Sequence, residues 1–468
     1  MIPIHPVVGD DAGASLFEVR RKIYPRAVHG WFAGWRWACV WATQLVFYGL
    51  PWLTWNGRPA VLFDLGARKF YVLGFVFWPQ DFIFLTALLV IAAFSLFLFT
   101  AIAGRLWCGF ACPQTVYTEI FLWVERHIEG DKPAREKLDR SPLTGRKFAL
   151  KAAKHAVWGA IALWTGFTLV GYFTPIRVLG AEVTALATGP WETFWVLFYA
   201  LATYGNAGWM REQVCKYMCP YARFQGAMFD RDTLIIGYDV ERGEPRGSRP
   251  RKADRKALGV GDCIDCQLCV QVCPTGIDIR QGLQYECIGC AACIDACDQV
   301  MDKMDYPHGL IRYSTQNALT RHAGVEEIAR RAVRPRTLVY GVILCAVVAG
   351  TGAGLWLRVP LKVDVIRDRG MLVREVEGDE LENVYRLQVM NTTELPRRFR
   401  ISVHGVPGLH VATDPEIALD AADTHMIVLR LRAPADGLAP GSHRAMIEVE
   451  ALDGAHEYVV EKTVFLVR

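Results

Sequence analysis

The stretch that decides the fold reads Cys263-Ile-Asp-Cys266-Gln-Leu-Cys269-Val-Gln-Val-Cys273-Pro274, and then Cys287-Ile-Gly-Cys290-Ala-Ala-Cys293-Ile-Asp-Ala-Cys297-Asp298. Both halves carry C-x2-C-x2-C-x3-C, and only the first is followed by proline. This rhythm is a two-cluster iron–sulfur signature, in which three cysteines of each run hold one cubane and the fourth crosses to the other. Cys263, Cys266 and Cys269 are then completed by Cys297, and Cys287, Cys290 and Cys293 by Cys273. The competing reading is zinc, which takes four ligands, typically two CxxC or Cys/His pairs. Two zinc sites leave the x2-x2-x3 rhythm unexplained. The missing second proline affects a turn, not a ligand.

Outward from this stretch, the 468 residues leave room for about three domains. Hydrophobic residues make up 52%, tryptophans number 15 and mean hydropathy is positive, which points to a membrane, while 21% charged residues require large water-facing parts. The net charge of +4 is too small to argue for a nucleic-acid partner. Residues 10 to 36 carry scattered charges and no short apolar segment ending in a cleavage site, so no signal peptide is expected. Twelve of the 14 cysteines fall in ligand-like or paired spacings, which places the cysteine-rich part in a reducing compartment. Cys39 and Cys345 lie in apolar runs and read as buried small hydrophobes.

Residues 1–36 form a basic cytoplasmic segment, with Arg20, Arg21, Lys22, Arg26 and Arg36 ahead of the first apolar run. Five runs free of charged residues follow, at 37–57, 82–104, 155–176, 193–210 and 337–357, each near the roughly 20 residues that cross a bilayer as a helix. A shorter apolar run, Phe70 to Gln80, is expected at the interface or as a re-entrant segment. Ten Lys and Arg lie between 105 and 154, against three between 58 and 81 and only Arg177 between the third and fourth runs. The basic loop is therefore cytoplasmic, residues 37–210 form a four-helix membrane region, and residues 211–336 form a cytoplasmic α+β ferredoxin-like domain. The run at 337–357 is a fifth membrane helix, which exports everything after it. Residues 358–468 lack cysteine and alternate as short strands (Leu361–Ile366, Val384–Val389, Phe399–Val403, Met426–Leu431, Arg444–Val449, Tyr458–Val467), the pattern of an all-β immunoglobulin-like sandwich. Its histidines at 404, 410, 425, 443 and 456 lack ligand spacing and are expected on the surface.

A second thiol constellation repeats C-x3-C-P: Cys108, Cys112 and Pro113, then Cys215, Cys219 and Pro220. The spacing suits either helical neighbours or a loop whose second cysteine precedes a helix opening on proline, where the missing N–H costs nothing. Either geometry brings thiols together near the membrane surface. Structural packing competes with a dithiol cycling to a disulfide, activated by a helix N-terminus and nearby Arg, and with a soft-metal site for copper(I). A redox or metal role is favoured over packing. His29, His127 and His155 near membrane edges lack facing partners and read as solvated or interfacial, and Met301 and Met304 as packing residues.

With these residues in place, the whole chain resembles the FixG/RdxA/CcoG family of cytochrome c oxidase accessory proteins, membrane-bound polyferredoxins. The resemblance runs from the basic N-terminus through both C-x3-C-P motifs and both cysteine quartets to the tail. It implies a multi-pass protein of the bacterial inner membrane with its iron–sulfur domain in the cytoplasm and its C-terminal domain in the periplasm. It implies that the eight cysteines from Cys263 to Cys297 bind two [4Fe-4S] clusters. It also implies that Cys108, Cys112, Cys215 and Cys219 serve copper handling or electron passage in a cupric reductase. The implied partners are a cbb-type cytochrome c oxidase, copper-delivery proteins and an unnamed electron donor. The chain is also similar, in its membrane and ferredoxin motifs, to membrane subunits serving periplasmic nitrate reductases, so a quinol-linked electron conduit is an alternative. A non-enzymatic assembly factor or redox sensor is the other.

Overall fold

Each of the five uncharged runs overlaps a helix in the computed structural model: α1 Trp31–Gly49, α2 Phe82–Ala103, α3 Gly145–Val170, α4 Pro190–Thr203 and α5 Pro335–Trp356. The model describes residues 22–467 except 252, 254, 256, 368–372, 377 and 455–456. Arg20, Arg21 and His456 lie outside the described residues.

Among the described residues two helices are long and apolar enough to cross a membrane: α2 with its leading turn, Pro79–Ala103, and α5. The first has 25 residues, about 37 Å at the α-helical rise, against ~30 Å of hydrocarbon. The expected count of five spans meets three helices built differently. α1 ends at Gly49, ahead of a 3₁₀ turn containing Pro51. α3 opens on Arg146, Lys147, Lys151 and Lys154, which leaves a shorter uncharged part. α4 has 14 residues and passes into a π-helical segment, Tyr204–Met210. Cys39 is half-buried and Cys345 exposed, not buried as expected, because Cys345 faces outward from α5.

The segment between α1 and α2 is β structure. Thr54–Trp55 pairs with Arg58–Pro59 across Asn56-Gly57, both at positive φ, and Asn-Gly is the dipeptide such a two-residue turn favours. Val61–Asp64, Lys69–Val72 and Phe75–Phe77 then form a three-stranded antiparallel sheet. The apolar run at 70–80 thus supplies two strands of this sheet.

The chain divides into two compact units. Of the described residues, one contains those from Lys22 to Val40, Ile102–Trp158 and Gly205–Ala332; the other contains Trp41–Ala101, Gly159–Tyr204 and those from Val333 to Val467. In the first unit, strand Ile235–Tyr238 pairs antiparallel with Ile311–Ser314. Between them run a short helix, Leu268–Gln271, and its packing partner, the 13-residue helix Ala292–Met304. Ile236, Ile294, Met301, Met304 and Ile311 make their shared core, so both methionines pack as expected.

In the second unit the tail forms two antiparallel sheets. One orders His410–Val411, Thr424–Pro434, Glu380–Asn391 and Leu361–Arg367, with Arg374–Val376 also on Glu380–Asn391. The other orders Glu416–Leu419, Arg397–His404, Gly441–Ala451 and Tyr458–Val467. Alternate residues such as Leu387 and Val389, Leu429 and Leu431, and Ile447 and Val449 turn inward onto Phe399 and Phe465. Period-two burial of this kind lets two sheets share one core. His404, His410 and His425 are exposed on it.

Candidate iron–sulfur and thiol site

The two cysteine runs are conformational copies. In the first, Asp265 and Gln267 flank Cys266 at φ 54° and 56°; in the second, Gly289 and Ala291 flank Cys290 at φ 69° and 59°. Left-handed residues on both sides of a cysteine curl the backbone so that successive N–H groups line a concavity, the kind of nest that receives anionic groups, iron–sulfur sites among them. The Gly289 N–H points at the Cys287 sulfur and the Ala292 N–H at the Cys290 sulfur. Asp298, where the repeat lacks its proline, accepts a hydrogen bond of 3.0 Å from the Gly309 N–H.

These loops wall two cavities. One is lined by Cys263, Cys266, Cys269 and Cys297. The other is lined by Cys273, Cys287, Cys290 and Cys293, with Cys269 on the wall between them. Each cavity thus takes cysteines from both runs. The remaining lining is mainly apolar, with Ile277, Ile279 and Ile288 in the second, and the polar groups are Thr275 there and Tyr238, Gln267 and Arg280 in the first. Burial pushes the Cys269 and Cys287 thiols up to about 12 and drives Cys293 and Cys297 well above the ordinary thiol range. A thiol held neutral by burial gains most from a cation that replaces its proton. Donor set, nests and cavities therefore fit iron–sulfur clusters.

The two C-x3-C-P motifs adopt the second of the two geometries open to them. Cys112 is extended at φ −61°, ψ 129° and precedes a helix opening on Pro113 (Pro113–Glu129); Cys219, at φ −78°, ψ 110°, precedes one opening on Pro220 (Pro220–Met228). The preceding residues differ: Leu106–Phe110 is α-helical, whereas Val214–Met218 is π-helical. The N–H groups of Gln114 and Thr115 point at the Cys112 sulfur. All four thiols lie within electrostatic reach of one another, since Cys215 feels Cys112, Cys108 and Cys219. Activation by a lowered pKa is not what the site provides: burial pushes Cys108 up to about 11 and Cys215 to about 12, outweighing the nearby Arg105. Among the described residues no three His, Cys, Asp or Glu side chains close in tightly enough to hold a single ion.

The thiol group and the second cavity are in contact. Cys108 packs on the apolar cluster of Val272, Ile288, Cys290 and Ala292. Its sulfur also meets the buried Gln225 side chain at 3.4–3.5 Å. Two arginines join this junction, Arg36, which the sequence singles out only for its charge, and Arg105, expected there as an activator of the thiols. Arg36 donates to the Cys290 carbonyl at 3.0 Å, and Arg105 to those of Cys287 at 3.2 Å, Ala222 at 3.0 Å and Tyr285. The signal available in the sequence is their place, Arg105 three residues before Cys108 and Arg36 just ahead of an apolar run. The histidines lie apart from it: His29 is exposed, His127 bonds the Trp123 carbonyl at 2.8 Å, and His155 stacks on Trp209.

Comparison with known proteins agrees with this chemistry. A 4Fe-4S dicluster domain model matches residues 210–316, a 4Fe-4S binding domain model matches 84–129, and the model of the IG-like fold at the C-terminus of FixG matches 351–468. Nitrogen fixation protein FixG of Rhizobium meliloti is 41% identical over 424 residues, 84% of this chain and 81% of that protein. Protein RdxA of Cereibacter sphaeroides is 40% identical over 433 residues, 90% of this chain and 91% of that protein. Protein RdxB of the same organism is 38% identical over 402 residues, 84% of each. A chain with these domains, matched to these relatives over most of its length, is an iron–sulfur protein and belongs to the FixG/RdxA family.

Proposed function

We propose that this protein is an inner-membrane electron-transfer protein that reduces copper(II) to copper(I) at Cys108, Cys112, Cys215 and Cys219, in the service of cbb-type cytochrome c oxidase maturation. Cys263, Cys266, Cys269 and Cys297 would hold one [4Fe-4S] cluster and Cys287, Cys290, Cys293 and Cys273 the other. When bound, these groups supply single electrons at potentials set by hydrogen bonds, charge and exposure. The observation that carries the reading is the packing of Cys108 against the Cys290 cluster while it shares electrostatic contact with the other three thiols.

The residues divide the work. Thiolates favour copper(I), whereas copper(II) prefers nitrogen and oxygen ligands, so reduction beside four thiols traps the product where it forms. Burial of Cys108 and Cys215 excludes water from that step, and the copper ion displaces thiol protons as it binds. Gln225 orients the Cys108 sulfur.

The membrane part of the reading rests on the two long apolar helices and the loop charges. Apart from Thr100 and Ala101 near the end of α2 and Thr337 at the start of α5, no residue of these helices is buried by protein, so the bilayer is the apolar environment available to them. With the basic loop at 105–154 in the cytoplasm, a five-span topology leaves residues 211–336 cytoplasmic and 358–468 periplasmic. The exported sandwich is a docking module for the oxidase or a copper-delivery protein.

The test is anaerobic. Dithionite-reduced protein is mixed with copper(II) and a copper(I)-specific chelator, and the return of cluster absorbance on reoxidation is followed together with copper(I) appearance. Matching electron counts are expected, together with loss of copper(I) formation when all four C-x3-C-P cysteines are serine and cluster absorbance is intact. Copper(I) formation that persists in that variant would remove these thiols from the mechanism.

A further inference from the structure

The two cysteine-lined cavities differ in the charges around them. Arg36 and Arg105 are both more than nine-tenths buried, point at the carbonyls of Cys290 and Cys287, and make no ion pair among the described residues. The carboxylates whose charge reaches Arg36 are engaged elsewhere: Asp295 accepts the N–H groups of Phe32 and Ala33, and Glu119 pairs with Arg126. The first cavity is the more compensated. Its Arg280 is paired with both Asp265 and Asp278, and Asp298 follows Cys297. Arg249, as buried as Arg105 and also without an ion pair among the described residues, reaches the Cys263 carbonyl only at 3.4 Å.

The cavities also differ in what they face. Cys266 of the first is exposed, whereas the second adjoins Cys108, with Gly109 against Gly289. Cys269 lines both. An uncompensated buried cation stabilises the more negative, reduced state of a neighbouring cluster, and burial spares it from screening by salt.

We propose that electrons cross this domain in one direction, entering at the Cys263/Cys266/Cys269/Cys297 side and leaving from the Cys273/Cys287/Cys290/Cys293 side, and that Arg36 and Arg105 are positioning residues that set the higher potential of the exit. The proposal rests on the ligand reading given above. One electron is taken from a reduced low-potential one-electron carrier at the Cys266 face, and one is given at the Cys108 face to copper(II), which becomes copper(I). No proton transfer is needed to balance the step.

The experiment is a potentiometric titration of the full-length, cluster-loaded protein in detergent, followed by EPR, with iron content measured on each sample. Two reduction waves are expected. Arg36→Gln and Arg105→Gln each lower the upper wave by at least tenfold in the reduction equilibrium, 59 mV for one electron. The lower wave and the iron content stay unchanged. Arg36→Lys and Arg105→Lys, which keep the charge, restore the upper wave, and Arg280→Gln moves only the lower one. Movement of the lower wave in the Arg36 and Arg105 variants, or of neither wave, at full iron content overturns the proposal. Should the glutamine variants lose iron, Glu119→Gln decides: it removes a negative charge from the cavity that Glu119 shares with Cys290, so the upper wave rises, and no rise overturns the proposal. Wild-type protein with iron for fewer than two clusters would overturn the ligand reading itself, a failure told apart by the iron content.

Discussion

Gly109, between the cysteines of the first C-x3-C-P motif, lies so close to Gly289 that a Cβ added to it would sit 2.6 Å from the Gly289 carbonyl oxygen and 2.8 Å from the Cys290 Cα. Both neighbours are backbone and cannot swing aside. Gly109→Ala therefore forces the thiol loop and the cysteine loop apart, at a cost of about 1–3 kcal/mol for overpacking. Copper(II) reduction should slow at least tenfold in stopped-flow measurements while cluster absorbance is retained. An unchanged rate would detach electron delivery from this contact.

Cys273 and Cys297 each line the cavity whose other cysteines come mainly from the opposite run. Cys297→Ser should remove the cluster associated with Cys263, Cys266 and Cys269, and Cys273→Ser the other. EPR of the reduced proteins should show different single clusters remaining, with iron content near half. The same surviving signal in both variants would contradict the crossed arrangement.

Glu125 is almost fully buried, with Arg135 at 2.9 Å, Arg211 at 2.7 Å and Lys154 at 3.7 Å around it. Glu125→Gln leaves three buried cations short of a counter-charge, and removing one partner of such a group costs about 3–5 kcal/mol. A clear drop in Tm by calorimetry is expected.

The same pairing fixes a pH dependence. Burial works to raise the Glu125 carboxyl, but Arg211, Lys154 and Arg135 hold it below the ordinary range; bonds from Lys151, Lys22 and Tyr24 do the same for Asp139 against its own burial. Both folded-state values are depressed, so the stability they contribute is present above the unfolded carboxyl value of roughly 4 and is lost as pH falls below it. Melting temperature should hold from pH 7 to 5 and fall below about 4, and the fall should be shallower in Glu125→Gln.

In the sandwich, Phe399 is fully buried between the sheets. Phe399→Ala should destabilise this domain by about 3–5 kcal/mol. The expected readout is a lower-temperature transition with cluster absorbance intact at 25 °C.

What could be read in the sequence tracks how local the physics is. Cysteine spacing is a local code, so both quartets stood out, and the period-two strands of the tail fall inside the observed strands. Strand Glu416–Leu419 and the two-residue His410–Val411 are too short to show a period. The Asn56-Gly57 turn is a legible hairpin signal, absorbed into the end of the uncharged run at 37–57. Arg36 and Arg105 could not be assigned from spacing, because their partners, Cys290 and Cys287, lie 254 and 182 residues away and are reached through carbonyl oxygens that any residue type offers. The rise in the thiol values of Cys108 and Cys215 was likewise invisible, since burial comes from neighbours distant in the chain.

The interleaving of the two cysteine runs also has a consequence for biosynthesis. A nascent chain that has emerged only as far as Cys273 presents three of the four thiols of one cavity and one of the other. The second cavity is complete only once Cys293 has left the ribosome and the first only with Cys297, so cofactor insertion must follow translation of both runs, and a truncation anywhere before Cys293 forfeits the two centres together.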